Sequence, residues 1–331
     1  MIRTLAALAL VFTPLPLAAQ APPDAALQRT LQERLAAVVA ASAGRMGISA
    51  LHLESGRAVA INGGERFPMA STYKIAVAAT MLSAIEEGRF RLDQMITLDE
   101  RIRVRSDGIT SFAPHPGVAL SVLNLIELSL TRSDNTATDM LVAAVGGPAA
   151  VDAWLRRAGI DGQRVDRDTA AILHDDFGLV AAPGSNVAGN LAGHFPPQPW
   201  LPSGPDHPIN PAFDNDPRDT STPDAMVRLL TRLHRGELLT PAHTRLLFEV
   251  LARTRTGTAR VRSVLPPGTI WAHKTGSLAG ISADVGVLTL PDGSHVALAL
   301  FIRGAPDPAA RDRSIAEAGR LIWDSFRSTR R

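Results

Sequence analysis

Ser71 and Lys74 stand three residues apart in Phe67-Pro68-Met69-Ala70-Ser71-Thr72-Tyr73-Lys74. Ile75, Val77, Ala78, Met81, Leu82 and Ile85 follow at helical spacing, so a buried helix is expected, starting at Pro68 and Ser71. Positions i and i+3 share a helix face, which sets the hydroxyl beside the amine at the positive end of that helix. A serine hydroxyl is a weak nucleophile until a base takes its proton, and a lysine in a low-dielectric site can be that base. Ser133-Asp134-Asn135, at a junction between two helical runs, can present a hydroxyl and a carboxamide to a cleft. His273-Lys274-Thr275-Gly276-Ser277, on a predicted strand, offers an ammonium and hydroxyls to a carboxylate, with a glycine for close backbone approach. Each stretch alone also reads as structural: a capping serine, an Asx turn, an edge strand with a solvated lysine. Their joint appearance in this order carries the inference.

The elements that must position these residues follow from periodicity. Asp24 to Ala41 reads as an amphipathic helix, and Met46 to Glu54 with Arg57 to Ile61 as a hairpin turning at Ser55-Gly56. Leu92 to Asp107 reads as short strands and loops, and helices are expected over Val122 to Thr131, Thr136 to Val145 and Val151 to Arg157. Residues 168–218 are proline-rich and read as a long irregular surface excursion, a kind of loop that is usually functional or disordered. Order returns at Thr222-Pro223-Asp224 with helices over Met226 to His234 and Ala242 to Ala252. Strands over Trp271 to Ser277, Ala283 to Leu290 and Val296 to Phe301 precede a final helix over Ile315 to Phe326. The fold class is therefore α/β (α+β): an antiparallel sheet flanked by helices, plus an all-helical lobe.

The chain has 331 residues, 45% hydrophobic and 20% charged, which is globular composition. A formal net charge of +2 with no long basic block gives no footing for a nucleic-acid partner. Cysteine is absent, which excludes disulfides and thiolate metal sites. Met1-Ile2-Arg3, the apolar run Leu5 to Phe12 and small residues at Ala18, Ala19 and Ala21 have the form of a signal peptide over residues 1–20. The run is too short to span a bilayer comfortably. A periplasmic monomer of residues 21–331, with no metal, no cofactor and no membrane insertion after cleavage, is the expectation.

The three motifs together resemble the class A serine β-lactamases of the penicilloyl-serine transferase superfamily. The likeness extends to Gly146-Gly147-Pro148 and to Thr256-Gly257-Thr258-Ala259-Arg260 with Leu265-Pro266. Val165-Asp166-Arg167 and Arg218-Asp219-Thr220-Ser221-Thr222-Pro223 resemble the two ends of the family's omega loop. The resemblance covers residues 25–325. It implies attack by Ser71 on a β-lactam carbonyl with Lys74 helping to remove its proton, and proton relay by Ser133, assisted by Lys274, to the leaving nitrogen. It further implies an oxyanion hole from the N–H groups of Ser71 and Ser277. Asn135 would hold the substrate side-chain amide, and Lys274, Thr275, Gly276 and Ser277 its carboxylate end, with Arg260 as a second carboxylate partner.

One departure stands out. The family carries a glutamate two residues after the arginine matched by Arg167, and it activates the deacylating water; here that position is Thr169. No glutamate occurs anywhere in residues 168–218. Asp168 is one residue early, and His174, Asp175, Asp176, His194, Asp206, His207, Asp214 and Asp216 are the substitutes the excursion offers. A histidine can serve as general base near neutral pH without a large shift. The resemblance thus points to a hydrolase of β-lactams; the alternative is a penicillin-binding protein or D-Ala-D-Ala peptidase that acylates and deacylates poorly. A non-catalytic module would leave the Ser71, Lys74, Ser133 and Lys274 set without a use.

Overall fold

In the computed structural model, residues 23–104, 108–179 and 208–327 are described. The first half of the chain runs through α1 (Pro23–Ala41), β1 (Arg45–His52), β2 (Ala58–Ile61), β3 (Phe67–Pro68), α2 (Lys74–Glu86), β4 (Met95–Thr97), α3 (Ile109–Phe112), β5 (Ala119–Ser121), α4 (Val122–Thr131), α5 (Asn135–Val145) and α6 (Pro148–Arg157). The second runs through α7 (Thr169–Asp176), α8 (Pro211–Asp214), β6 (Thr220–Ser221), α9 (Pro223–His234), α10 (Pro241–Ala252), β7 (Trp271–Leu278), β8 (Ile281–Thr289), β9 (His295–Arg303) and α11 (Pro308–Arg327).

The main sheet has the order β2-β1-β9-β8-β7, antiparallel throughout, so the first and last thirds of the chain share it. Alternation along the strands splits the core in two. Met46, Ile48, Leu298, Leu300 and Trp271 face α1 and α11, where Leu35, Ile315 and Trp323 close a smaller core. Ala297, Ala299, Phe301, Ala283 and Val285 face the larger core of the helical lobe. Lys274, next to Trp271 and His273 but one step out of phase with them, therefore points to the lobe. Helix α2 is apolar on every side, and Lys74 to Leu82 are all buried, which makes it the axis on which α4, α5 and α6 pack.

Two expectations need correction. Pro68 does not start the helix: Phe67–Pro68 pairs with Thr220 and Ser221 as a two-residue antiparallel ladder, which holds the chain extended until Met69. The excursion is not irregular throughout either. Asp168 caps α7 by accepting from the N–H of Ala171 at 2.8 Å, and Thr169, Ala170 and Ile172 are buried on the lobe. The helical signal there is short and lies next to the proline-rich tract, which masks it. The expected leader (residues 1–20) lies outside the described residues, as do His194, Asp206 and His207. Among the described residues no helix is long and apolar enough to cross a membrane.

Candidate active site

The Ser71 turn is held from three directions. Residues Ala70–Tyr73 form a single 3-10 turn that runs into α2 at Lys74. It is anchored before by β3 and by the Met69 N–H donating to the Asp219 carbonyl at 3.0 Å, and within by Thr72 Oγ1 donating to the Met69 carbonyl at 2.8 Å. Ala70 takes a left-handed φ of 44°, uncommon outside glycine, which turns the chain sharply just before the serine. Strand β7 packs against this turn, and Gly276 is what allows it: a Cβ there would lie 2.6 Å from the Met69 carbonyl oxygen and 3.3 Å from the Ser71 nitrogen. The Ser71 hydroxyl is half-buried and has no hydrogen-bond partner among the described residues.

Lys74 and Lys274 converge on Ser133. Lys74 Nζ donates to the Ser133 carbonyl (2.8 Å), to Asn135 Oδ1 (2.8 Å) and, more weakly, to Ser133 Oγ (3.3 Å). Lys274 Nζ donates to Ser133 Oγ at 2.9 Å and to the Thr275 carbonyl at 2.8 Å. Ser133 is aimed by its own left-handed backbone, φ 58°, and by Asp134 behind it. The Asp134 carboxylate accepts from the Ala137 N–H (2.7 Å) at the start of α5 and from the Ile109 N–H (2.6 Å) across the cleft. Both lysines are fully buried. Burial pushes Lys74 down to about 8, opposed by the charges of Asp134 and Asp139. Lys274 is driven well below the ordinary lysine range by burial first, then by repulsion from Lys74 and Arg260. The Lys74 amine, with its midpoint near 8, can act as a base close to neutral pH. Among the described residues the hydrogen bonds of Lys74 Nζ go to Ser133 and Asn135, with none to Ser71.

The β7 edge carries the anion-binding groups. Thr275 Oγ1 hydrogen-bonds Thr256 Oγ1 at 2.6 Å, and Ser277 is exposed at the rim between buried neighbours. Arg260 is almost wholly buried behind this edge. Its guanidinium donates to Ser277 Oγ (2.6 Å), to the Gly276 carbonyl (2.9 Å) and to the Ala283 carbonyl (2.8 Å), and it pairs with Asp312 of α11 at 2.7 Å. The arginine thus reaches the site through Ser277.

Opposite β7, the omega-like segment is clamped at its neck. Arg167 pairs with Asp219 through Nε at 2.6 Å, and also with Asp175 and Asp216. Asp219 Oδ1 accepts from the N–H groups of Asp166 (2.7 Å) and Arg167 (3.1 Å). Asp175 and Asp216 are further taken up by Arg218, and Asp214 lies against Arg303. Three of the offered substitute bases are therefore spent on ion pairs that hold the excursion. Thr169 lies buried where the family glutamate was expected, its hydroxyl 2.7 Å from Tyr73 Oη. Beneath it is Asp139, absent from the expectations. Its carboxylate accepts from the N–H groups of Thr169 (2.8 Å) and Ala170 (3.0 Å). Burial and the neighbouring Asp168 raise Asp139 to about 7. An aspartate inside the apolar run of α5, four residues after Asn135, was the signal that could have singled it out.

The Ser71, Lys74, Ser133 and Lys274 groups are thus gathered in one cleft between the sheet and the lobe, and among the described residues no cluster of metal-ligating side chains accompanies them. The comparisons with known proteins agree. The Beta-lactamase enzyme family matches residues 30–326. Beta-lactamase L2 of Stenotrophomonas maltophilia is 34% identical over 313 residues, 92% of this chain and 88% of that protein. Beta-lactamase CTX-M-25 of Escherichia coli is 28% identical, over 98% and 97% of the two chains. Among solved structures, an ancestral (GNCA) class A β-lactamase superposes with a TM-score of 0.73 at 34% identity, covering 89% of this chain and all of that one (100%). A match along nearly the whole length, in sequence and in fold, places this chain in the class A serine β-lactamase family.

Proposed function

We propose that this chain hydrolyses β-lactams through an acyl-Ser71 intermediate. The observation that carries the reading is the bridge of Ser133 Oγ between Lys74 and Lys274, beside a Ser71 hydroxyl with no hydrogen-bond partner among the described residues. Lys74, in its neutral form, takes the Ser71 proton as the hydroxyl oxygen bonds to the lactam carbonyl carbon. Ser133 passes a proton to the ring nitrogen as the amide bond breaks, and the buried Lys274 charge favours that transfer. The N–H groups of Ser71 and Ser277 stabilise the oxyanion; losing one such donor typically costs about 2.7–4 kcal/mol. Gly276 permits the approach of β7 that brings those two N–H groups together. Asn135, its carbonyl oxygen engaged by Lys74, turns its amide towards the acyl side chain. Lys274, Thr275 and Ser277 take the substrate carboxylate, and Arg260 supports it through Ser277.

The chain fits a monomeric enzyme of residues 21–331, with its insertion at 168–218, exported to the periplasm by residues 1–20. Purified mature protein mixed with excess chromogenic cephalosporin tests the reading. Sustained turnover that vanishes in Ser71→Ala is the expected result. A burst of about one equivalent followed by a flat line would favour the penicillin-binding alternative, which Thr169 keeps in view. Neither burst nor turnover would overturn both.

A further inference from the structure

Deacylation needs a proton acceptor, and the family's position for it holds a threonine here. Asp168 caps α7, and Asp175, Asp214 and Asp216 are paired with arginines. The buried carboxylate bonded directly to this position is Asp139. Tyr73, Thr169 and Asp139 are buried in succession from the nucleophile turn into α5. Tyr73 Oη, two residues from Ser71, lies 2.7 Å from Thr169 Oγ1, and the Asp139 carboxylate sits under the Thr169 and Ala170 N–H groups, beside that hydroxyl's own backbone.

We propose that Thr169 Oγ1 receives the proton of the deacylating water and that Asp139, acting through it, is the positioned acceptor that takes the place of the missing glutamate. The inference rests on the acyl-Ser71 reading above. A threonine hydroxyl has one donor and two acceptor sites. It donates to Asp139, while Tyr73 occupies one lone pair and the incoming water the other. The water oxygen bonds to the acyl carbon as its proton moves to Thr169 Oγ1 and the threonine proton moves to Asp139. Collapse of the adduct breaks the bond between the acyl carbon and Ser71 Oγ. The proton held on Asp139 returns along the same line to Ser71 Oγ, and the released carboxylic acid ionises into solvent.

The charged and titratable groups facing Asp139 are Asp168 on α7, which raises it further, and Lys74 and Tyr73 on the nucleophile helix. The net result, a carboxylate near 7, suits a base that works at neutral pH. Deacylation should then fall as pH drops through about 7.

Three variants separate this relay from a packing role, with acylation read from the burst and deacylation from decay of the acyl-enzyme by intact mass. Thr169→Val keeps the shape and the backbone N–H bonds to Asp139 but removes the hydroxyl. It should slow deacylation about a hundredfold, the lower end of what general-base transfer typically contributes, with acylation changed less than about threefold. Thr169→Ser, which restores the hydroxyl, should recover most of the rate. Asp139→Asn should slow deacylation similarly and abolish the fall below pH 7. Deacylation by Thr169→Val at the parent rate, or an unchanged acidic limb in Asp139→Asn, would overturn the relay while leaving the acyl-Ser71 reading intact. Failure of the parent protein to form any acyl-enzyme would overturn that reading, and the relay with it.

Discussion

Ser133 shows how single residues are set for chemistry at some cost to the backbone. Its φ of 58° is a conformation that glycine adopts without penalty and that other residues adopt rarely. Ser133→Gly should therefore leave thermal stability unchanged or slightly higher while lowering acylation by about 10²–10⁴-fold, as expected for loss of a proton-transfer group; stopped-flow acylation and calorimetry on the same sample check both halves. Lys74 makes a second test at this scale. In the proposed route the amine serves as base only when neutral, so acylation should rise with pH through about 8 and be lost as pH falls below it. Lys74→Arg, charged at every accessible pH, should lack that limb and acylate about 10²–10⁴-fold more slowly. The identities of Ser71, Lys74, Ser133 and Lys274 were legible in the sequence because their types and spacing are rare in combination. Their bonding was not. That Lys74 reaches Ser133 and Asn135 depends on where the Ser133 turn meets α2 in space, which apolar periodicity does not encode.

At the scale of elements, the site depends on two approaches that tolerate little change. Strand β7 meets the Ser71 turn across Gly276, where a Cβ would meet backbone rather than a movable side chain. Gly276→Ala should destabilise the fold by about 1–3 kcal/mol, the usual cost of overpacking, and reduce acylation by displacing an oxyanion donor; chemical denaturation and burst amplitude measure the two effects. The neck of the omega-like segment is the other approach. Arg167 and Asp219 are both buried, and removing one partner leaves the other charged without compensation. Arg167→Ala should cost about 3–5 kcal/mol in denaturant unfolding. Most helices could be read from hydrophobic period because they bury one defined face, and the sheet strands and α2 from apolar runs that are buried on more than one side. Helix α7 could not, since eight residues give barely two turns of pattern and the prolines beyond it suggest a loop. The sequence offers Arg260 as a second carboxylate partner; its burial behind β7 and its bonds to Ser277 and Asp312 come from the meeting of distant segments, which spacing along the chain cannot show.

Across the whole molecule, the sheet joins both ends of the chain and the cleft lies where it meets the helical lobe, so catalytic burial and global stability are linked. Asp139 binds its proton more tightly in the fold than in the unfolded chain, with a midpoint raised from 3.8 to about 7. Between those values the native state holds more protons, so stability must fall as pH rises through that window. Lys74 works oppositely: its midpoint is lowered from 10.5 to about 8, the unfolded chain holds more protons between the two, and stability rises with pH there. A shallow minimum in stability between about pH 7 and 8 is expected, and melting curves across pH 5 to 10 should show it, with the descending arm flattened in Asp139→Asn. Such a minimum near neutral pH is the consequence of keeping a buried base and a buried acid poised for proton transfer.

The most direct test of the account is the covalent state of Ser71 during turnover. Intact-mass spectrometry of the protein quenched in the presence of excess β-lactam should show one added substrate mass, mapped by peptide digestion to Ser71, that disappears as product accumulates. Product formed without an adduct on Ser71, or formed equally by Ser71→Ala, would contradict it.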